Sequence, residues 1–193
     1  MKCLIVVAHP LQDSLCQSLA AVAREVLASR QHEIDVADLY AEGFVPVMTA
    51  DERRAHYGTP DICGDDIRRL MTAELLVLVF PTWWFGFPAI LKGWFDRVWL
   101  PGVAFDIAPD SAALTLRLKG LKHVVAVTTL GSPRWVDWFV LRQPVKRILK
   151  HAIAGACAPQ ARFHFLAQHS AETLTSQQFE AFASRIRRTL SSL

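Results

Sequence analysis

LLVLVFPTWWFGFPAILKGWFDRV, residues 75–98, contains the strongest structural signal in this chain. Its first six residues are all apolar, which is typical of a β-strand buried on both faces. Pro88 suits the first residue of a helix running to about Leu100, because the N–H group that proline lacks has no partner there anyway. We therefore predict a buried strand, an aromatic loop and a helix. The stretch 75–91 carries no charge, but Pro81 and Pro88 interrupt it, so we expect no membrane span.

Four further segments have the pattern of strands, and helical patterns separate them. Strands are predicted at residues 3–8, 33–39, 122–128 and 162–167, and helices near 15–26, 50–56, 64–74, 88–100, 135–156 and 176–190. The helical segment 135–156 is expected to break or kink at Pro144. Strands that alternate with helices predict an α/β fold with a parallel five-stranded sheet covered on both faces. The length of 193 residues favours one domain, residues 1–193.

Two strand orders are common for such a sheet, the Rossmann order and the flavodoxin-like order. The Rossmann fingerprint G-x-G-x-x-G does not follow the first strand, and the P-loop pattern G-x-x-x-x-G-K-[ST] is also absent. In both orders a ligand binds outside the carboxyl ends of the strands, at the switch point of the sheet. The segments expected there are residues 9–16, 81–87 and 128–134.

Composition narrows the class of protein. Hydrophobic residues make up 52% and charged residues 20% of the chain, which excludes a disordered or collagenous protein. The net charge of +3 is too small to favour a nucleic-acid partner. The four cysteines have no CxxC or CxxH spacing, and six of the seven histidines, His169 among them, are interpreted as ordinary, so no metal site is predicted. We expect a soluble, reduced, cytoplasmic protein.

The three segments at the strand ends have complementary chemistry. His9 and Ser14 precede a helix whose free N–H groups suit a phosphate, although Asp13 would repel one and plain loop residues are the alternative. Residues 81–88, PTWWFGFP, could hold a flat ring, with a locally aromatic core or an oligomer contact as alternatives. Residues 128–133, TTLGSP, supply hydroxyl and N–H donors. Together the segments predict a site for a phosphorylated, flat heteroaromatic molecule, and a flavin nucleotide fits that description.

The block FPTWWFGFPAILKGWFDRV, residues 80–98, resembles the hallmark of the NAD(P)H:quinone oxidoreductase (DT-diaphorase-like) family. That family includes the flavoprotein ancillary subunit of a bacterial potassium efflux system. The motifs AHP at residues 8–10, DSL at 13–15 and TT at 128–129 match it in the right order, so the resemblance covers about residues 1–135. It implies a flavodoxin-like three-layer sandwich whose five-stranded parallel sheet has the order 2-1-3-4-5.

The resemblance also implies a set of site residues. The residues expected at the flavin phosphates are His9, Ser14, Leu15 and Cys16. Those expected along the isoalloxazine ring and ribityl chain are Pro81, Thr82, Trp83, Trp84 and Phe85. Those expected at the far edge of the ring are Thr128, Thr129 and Gly131. Phe105 falls where family members place an aromatic side chain that closes the substrate pocket of the partner subunit. The implied protein is a homodimer that binds FAD, with FMN as the alternative, and takes electrons from NAD(P)H.

The chain departs from the family pattern at several positions. Leu130 replaces the first glycine of a Thr-Thr-Gly-Gly turn, and Cys16 stands where asparagine is common. The tyrosine and histidine that assist proton transfer in the quinone reductases are not evident; Arg134 and Trp135 occupy that region, and we take Trp135 as a substrate-pocket candidate. No catalytic acid or base is therefore assigned.

A second group of residues follows this turn. Trp135, Trp138, Phe139 and Leu141 form an apolar patch, which we interpret as a dimer interface or pocket lid, with exposure toward a lipid quinone as the second choice. The basic residues at 142, 146, 147 and 150 favour a solvated helix face, with NADPH phosphates or an acidic partner as alternatives.

The predicted function is a flavin-dependent NAD(P)H oxidoreductase that reduces a quinone or similar acceptor in two half-reactions. The alternatives are a regulatory flavoprotein subunit of a membrane transporter or channel and a one-electron carrier. Carriers of that type are usually strongly acidic, so the net charge of +3 counts against the carrier.

Overall fold

The structure is a computed structural model that describes residues 1–56, 64–107 and 114–193. Cys63 and part of the predicted loop before it lie outside the described residues. The strands are β1 (Lys2–Val7), β2 (Glu33–Asp38), β3 (Leu75–Pro81), β4 (Phe105–Ile107), β5 (Leu114–Leu116), β6 (His123–Thr129) and β7 (Arg162–Gln168). The α-helices are α1 (Leu15–Ser29), α2 (Ala50–Arg54), α3 (Gly64–Thr72), α4 (Ala89–Val98), α5 (Pro144–Arg147), α6 (Ala154–Cys157) and α7 (Ser176–Ser191).

Five parallel strands form the central sheet in the order β2-β1-β3-β6-β7. Counted over these five strands, the order is 2-1-3-4-5, as the sequence resemblance implies. All seven residues of β3 are buried, because this strand is central and both of its faces are covered. The observed strand order differs from the Rossmann order, so the Rossmann alternative is excluded.

The sheet separates two apolar layers, and alternate residues of each strand supply them. On β1, Leu4 and Val6 belong to the layer that packs under α3 and α4. Cys3, Ile5 and Val7 belong to the opposite layer, which packs under α1 and α7. This arrangement is a three-layer sandwich, and it leaves the strand ends as the accessible edges of the sheet.

Helix α4 explains part of the tryptophan clustering. Trp94 is fully buried, and its ring lies 5.4 Å from that of Phe95 and 6.4 Å from that of Trp99, in edge-to-face contacts. Trp83 and Trp84, by contrast, are exposed. The clustered tryptophans thus serve two purposes, because two fill the core and two remain on the surface. Pro88 lies just before the helix rather than within its first turn.

The close approach of α4 to the preceding loop depends on Gly93. A Cβ atom placed on Gly93 would lie 2.2 Å from the carbonyl oxygen of Pro46 and 2.5 Å from its Cα. The Arg97 guanidinium donates to the Val45 carbonyl and pairs with Glu52, so the same loop is held against α4 by polar contacts. Only a residue without a side chain allows this packing.

Two regions differ from the sequence-based prediction. Residues 105–107 and 114–116 pair as a small antiparallel sheet that the sequence did not predict. The segment 135–156 is helical as expected, but residues 136–140 and 148–153 form π-helix, with α-helix between and after them. The predicted break occurs at Arg142 and Gln143, which have positive φ angles of 56° and 51°, and the helix restarts at Pro144. Proline disfavours helical geometry in the residue before it, which explains the position of the break.

Candidate functional site

The carboxyl ends of β1, β3 and β6 meet at one edge of the sheet. The Ala8 amide donates to the Val79 carbonyl at 2.9 Å, and the Thr82 amide donates to the Thr129 carbonyl at 2.7 Å. The Thr82 and Thr128 hydroxyl oxygens also lie 2.7 Å apart, within hydrogen-bond distance. The three loops that the sequence analysis identified are therefore neighbours in the fold.

The first loop ends at a helix N-terminus. Ser14 is buried and caps α1, with its Oγ accepting a hydrogen bond from the Gln17 amide at 3.3 Å. Its hydroxyl proton is still available to a ligand. The amides of Leu15 and Cys16 have no partner within the helix, and its first turn contains no acidic residue. Asp13 is exposed and does not cap the helix. An anion can thus be bound here.

Cys16 occupies the place where the family commonly has asparagine. Its side chain is buried, with Sγ 3.8 Å from the Thr129 hydroxyl. Burial raises the pKa of the Cys16 thiol to about 11, so the group is uncharged at neutral pH. A neutral thiol adds no negative charge beside the helix N-terminus, and a bound anion is not repelled by it.

A cluster around Asp38, which the sequence analysis did not identify, positions this first loop. The Asp38 carboxylate accepts hydrogen bonds from Gln17 Nε2 at 2.6 Å and Gln12 Nε2 at 3.2 Å, and from the Ala41 amide at 3.1 Å. Asp38 ends β2, the strand next to β1. The carboxylate therefore fixes the start of α1 and accepts three hydrogen bonds of its own.

The second loop is an unusual turn. The Gly86 amide donates to the Trp83 carbonyl at 2.9 Å, and the two residues between them, Trp84 and Phe85, have φ angles of 48° and 57°. Both central residues are left-handed, as in a type I′ turn, which normally requires glycine or asparagine. Bulky residues in this region cost of order 1–3 kcal/mol each. Strain of this kind is concentrated at functional sites.

This turn presents an aromatic face and backbone donors. Trp84 is 99% exposed and Trp83 is 44% exposed. The Trp83 ring also meets the His9 imidazole edge-on, at 6.3 Å between centroids, and His9 Nδ1 accepts from the Leu11 amide at 3.1 Å. Within the described ranges, no backbone acceptor pairs with the amides of Trp84 and Phe85. A flat ring with polar edge atoms suits such a surface.

The third loop is held by the segment after β7. Thr128 and Thr129 are buried, the Leu130 amide donates to the Gln168 carbonyl, and the Ala171 amide donates to the Leu130 carbonyl. Leu130 and Gly131 have no positive φ angle, so leucine replaces the usual glycine without strain. A Cβ on Gly131 would lie 3.1 Å from Glu172 Oε1. Ser132 Oγ is buried, and no described group bonds to it.

A carboxylate–imidazole pair lies behind this third loop. His169 Nε2 and Asp137 Oδ2 are 3.1 Å apart, and both side chains are nearly buried. Asp137 belongs to the first π-helical stretch, and His169 follows β7 directly. His169, which the sequence analysis interpreted as ordinary, thus ties the segment after the third loop to the sheet.

Two predicted pocket residues, Phe105 and Trp135, belong to none of the three loops. Phe105 is on β4, in the small sheet between α4 and β6, and packs against the core layer under α4. No hydrogen bond or ring contact in the described part of the chain joins it to the three loops. Trp135 precedes the first π-helical stretch and is 60% exposed.

The residues at the sheet edge fit a flavin nucleotide. Unpaired helix-start amides suit its phosphate, the unpaired amides of the second loop suit polar ring edges, and the Ser132 hydroxyl still needs a partner. No group of three or more potential metal ligands occurs in the residues that the structure describes. No helix in the same residues is long and apolar enough to cross a membrane.

Comparison with known proteins agrees with this geometry. The family model described as flavodoxin-like fold matches residues 1–190. The ribosyldihydronicotinamide dehydrogenase [quinone] of Mus musculus is 34% identical over 152 residues, which cover 68% of this chain and 64% of the mouse protein. The chain therefore matches less than two thirds of that relative's length.

Two solved structures show the same architecture over the full chain. Smu.1420 from Streptococcus mutans has a TM-score of 0.87 with 28% identity, and each chain is covered completely. An FMN-dependent NADH-azoreductase from Bacillus anthracis, solved with FMN, has a TM-score of 0.77 and 16% identity, with 100% of this chain and 99% of that chain covered. The second likeness concerns the fold alone. The family match, the strand order and the quinone dehydrogenase relative confirm the resemblance found in the sequence: this chain belongs to the family with the flavodoxin-like fold.

Proposed function

We propose that residues 1–193 form a single flavin-binding domain of an NAD(P)H oxidoreductase whose acceptor is a quinone or a related compound. The observation that carries the proposal is that three loops meet at one edge of the sheet. The first and second loops contain unpaired backbone N–H groups, and the second loop is an exposed aromatic turn. The mouse relative is named as a quinone-dependent dehydrogenase, which supports the same reaction class.

Each loop has a distinct task in this proposal. The amides of Leu15 and Cys16, with the Ser14 hydroxyl and His9, bind the phosphates. The turn at Trp83–Phe85, with Pro81 and Thr82 before it, lies along the ring system and ribityl chain. Thr128, Thr129 and Gly131 approach the far edge of the ring, where backbone N–H groups stabilise negative charge.

Bound flavin supplies the hydride acceptance and release that no side chain of this protein can perform. The protein contributes position and electrostatics. The nicotinamide donor and the acceptor would occupy the same side of the bound flavin in succession, which would give a two-step exchange. We assign no acid or base, because the tyrosine and histidine that assist proton transfer in the quinone reductases have no evident counterpart after the third loop.

The finer parts of the proposal are the cofactor, the assembly and the compartment. FAD is preferred, with FMN as the alternative, and the FMN complex of the B. anthracis structure shows that the shared fold accommodates FMN in that protein. A homodimer is proposed in which Phe105 of one copy closes the pocket of the other, because Phe105 lies on the small β4–β5 sheet and not in the three loops of its own chain. A cytoplasmic location stays a prediction.

The test is an anaerobic absorbance titration of flavin-reconstituted protein. FAD and FMN are compared in reconstitution, NADPH and NADH are each added as reductant, and a soluble benzoquinone follows. Bleaching of the flavin band and its rapid recovery on quinone addition support the proposal. Flavin that binds and stays oxidised under excess of both nicotinamides contradicts it and favours the regulatory subunit of a transporter.

A further inference from the structure

An exposed aromatic and aliphatic surface follows the third loop. Phe139 is 78% exposed and Trp135 is 60% exposed, and Trp138, Val140 and Ile148 are also on the surface. Large apolar side chains grouped in this way mark an interaction surface rather than ordinary scatter. We name the exposed side chains between Arg134 and Lys150 the basic aromatic surface.

The same surface is strongly positive. Its cations are the exposed Arg134, Arg142, Arg147 and Lys150 and the half-buried Lys146, and none of them forms an ion pair with any residue that the structure describes. The only acidic residue from 111 to 171 is Asp137. Because Asp137 is buried against His169, it does not offset the exposed positive charge. The positive charge therefore has no anionic partner within the described protein.

The surface is held in place by the fold. The buried Asp137 side chain anchors the π-helical stretch to His169, and the Gln143 amide donates to the Asp137 carbonyl at 2.8 Å. The Arg134 guanidinium lies 4.3 Å from the centroid of the Trp138 ring. Lys146 Nζ donates to Gln143 Oε1 at 3.2 Å. The aromatic side chains are thus presented outward by an ordered segment.

The charge distribution decides between possible partners. If this surface were the interface of a two-fold dimer, it would face its own copy, which would bring unpaired cations against cations. Nucleic acid satisfies the positive charge, but it leaves the aliphatic side chains Val140 and Ile148 without a fitting environment. Tryptophan, phenylalanine and aliphatic side chains surrounded by lysine and arginine are typical of proteins that lie on anionic membrane surfaces.

We propose that the basic aromatic surface docks onto a lipid bilayer containing anionic phospholipid. Trp135 and Phe139 enter the headgroup region, and the five cations bind the lipid phosphates. The protein remains peripheral. This proposal rests on exposure and charge, and it holds whether or not the protein reduces quinones.

The test is vesicle flotation with the full chain, with and without added flavin. Vesicles of phosphatidylcholine alone are compared with vesicles that also contain phosphatidylglycerol. We expect at least about tenfold tighter binding to the anionic vesicles and a clear loss of that binding at high salt. Equal binding to both vesicle types, or no binding to either, overturns the proposal.

Matched variants separate this surface from general charge effects. The double variant Arg147→Glu with Lys150→Glu is expected to weaken binding to anionic vesicles by at least about tenfold. The control, Arg30→Glu with Arg188→Glu, makes the same change in charge at exposed positions beyond α1 and on α7, and it should bind as the parent does. Circular dichroism verifies that both variants are folded. Equal loss in the control overturns the proposal.

Two further measurements identify the competing partners. Light scattering of Phe139→Ser reports whether the apolar residues hold two copies together, and a dimer that becomes a monomer overturns the proposal. Binding of a DNA oligonucleotide that matches vesicle binding in strength also overturns it. An unchanged oligomeric state together with weakened vesicle binding supports it.

Discussion

Replacing Gly93 by alanine tests the packing of α4 against the loop before α2. In a solvated helix this change stabilises by about 1 kcal/mol, because alanine restricts the unfolded chain more than glycine does. Here the new Cβ would lie 2.2 Å from the Pro46 carbonyl oxygen and 2.4 Å from the Pro46 Cβ. Normal carbon contacts require about 3.5–4.0 Å, so helix and loop must separate by more than an ångström.

The loop cannot move freely, because Arg97 on the same helix donates to the Val45 carbonyl and pairs with Glu52. Overpacking of this kind costs about 1–3 kcal/mol, and the loss of packing around Trp94 adds to it. We expect a net destabilisation of about 1–3 kcal/mol, which lowers the Tm by roughly 2–12 °C for a chain of this size.

Urea and thermal unfolding, followed by tryptophan fluorescence, measure the effect. The matched control is Gly120→Ala, since a Cβ there meets nothing within 4 Å and the residue has no positive φ angle. That variant should stay within about 0.5 kcal/mol of the parent. If Gly93→Ala equals or exceeds the parent in Tm, the close contact with Pro46 is wrong and this account of α4 fails.

Three other predictions concern buried groups. His169→Ala leaves the Asp137 carboxylate buried without its partner, and we expect the free energy of unfolding in urea to fall by about 3–5 kcal/mol. The control Lys92→Ala removes an exposed ion pair and should lower the free energy of unfolding by less than about 1 kcal/mol. Ser14→Ala removes a helix cap and should cost about 1 kcal/mol, measured as a lower Tm. Burial raises the thiol pKa of Cys3, Cys16 and Cys157 to about 11. The stability that the neutral thiols contribute is therefore fully present below pH 9, the ordinary thiol pKa, and falls as the pH rises toward 11. Thiol labelling followed by peptide mass spectrometry should leave these cysteines unmodified in folded protein at neutral pH, and rapid labelling of any of them contradicts the burial described.

The strands were predictable because their burial is visible in the sequence. An uninterrupted apolar run, as in residues 75–80, occurs only where both faces of a strand are covered, and the observed strand extends it by one residue. The small β4–β5 sheet was missed because strands of three residues are too short to show an alternating pattern. The π-helical stretches share the composition of α-helix, so hydrophobic periodicity does not distinguish them.

The location of the candidate site was predictable, but its supporting contacts were not. Parallel strands bring their carboxyl ends to one edge, so three loops distant in sequence could be grouped in advance. The Asp38–Gln17 and Asp137–His169 contacts each join residues from different elements, and local patterns do not report such pairs. One sequence signal for the second contact was available. Asp137 is the only acidic residue in the 61 residues from 111 to 171, and such an isolated carboxylate indicates a specific partner.

The strand order also determines which part of the sheet can form at each stage of synthesis on the ribosome. Once β3 has emerged, β2, β1 and β3 already form a contiguous half-sheet, and β6 and β7 are later added to a single growing edge in chain order. Until β6 arrives, 42 residues after Pro81, the apolar edge of β3 has no neighbour. Nascent chains that stall in this interval expose a template for intermolecular pairing, so the yield of folded protein depends on how quickly translation carries the chain past residue 129.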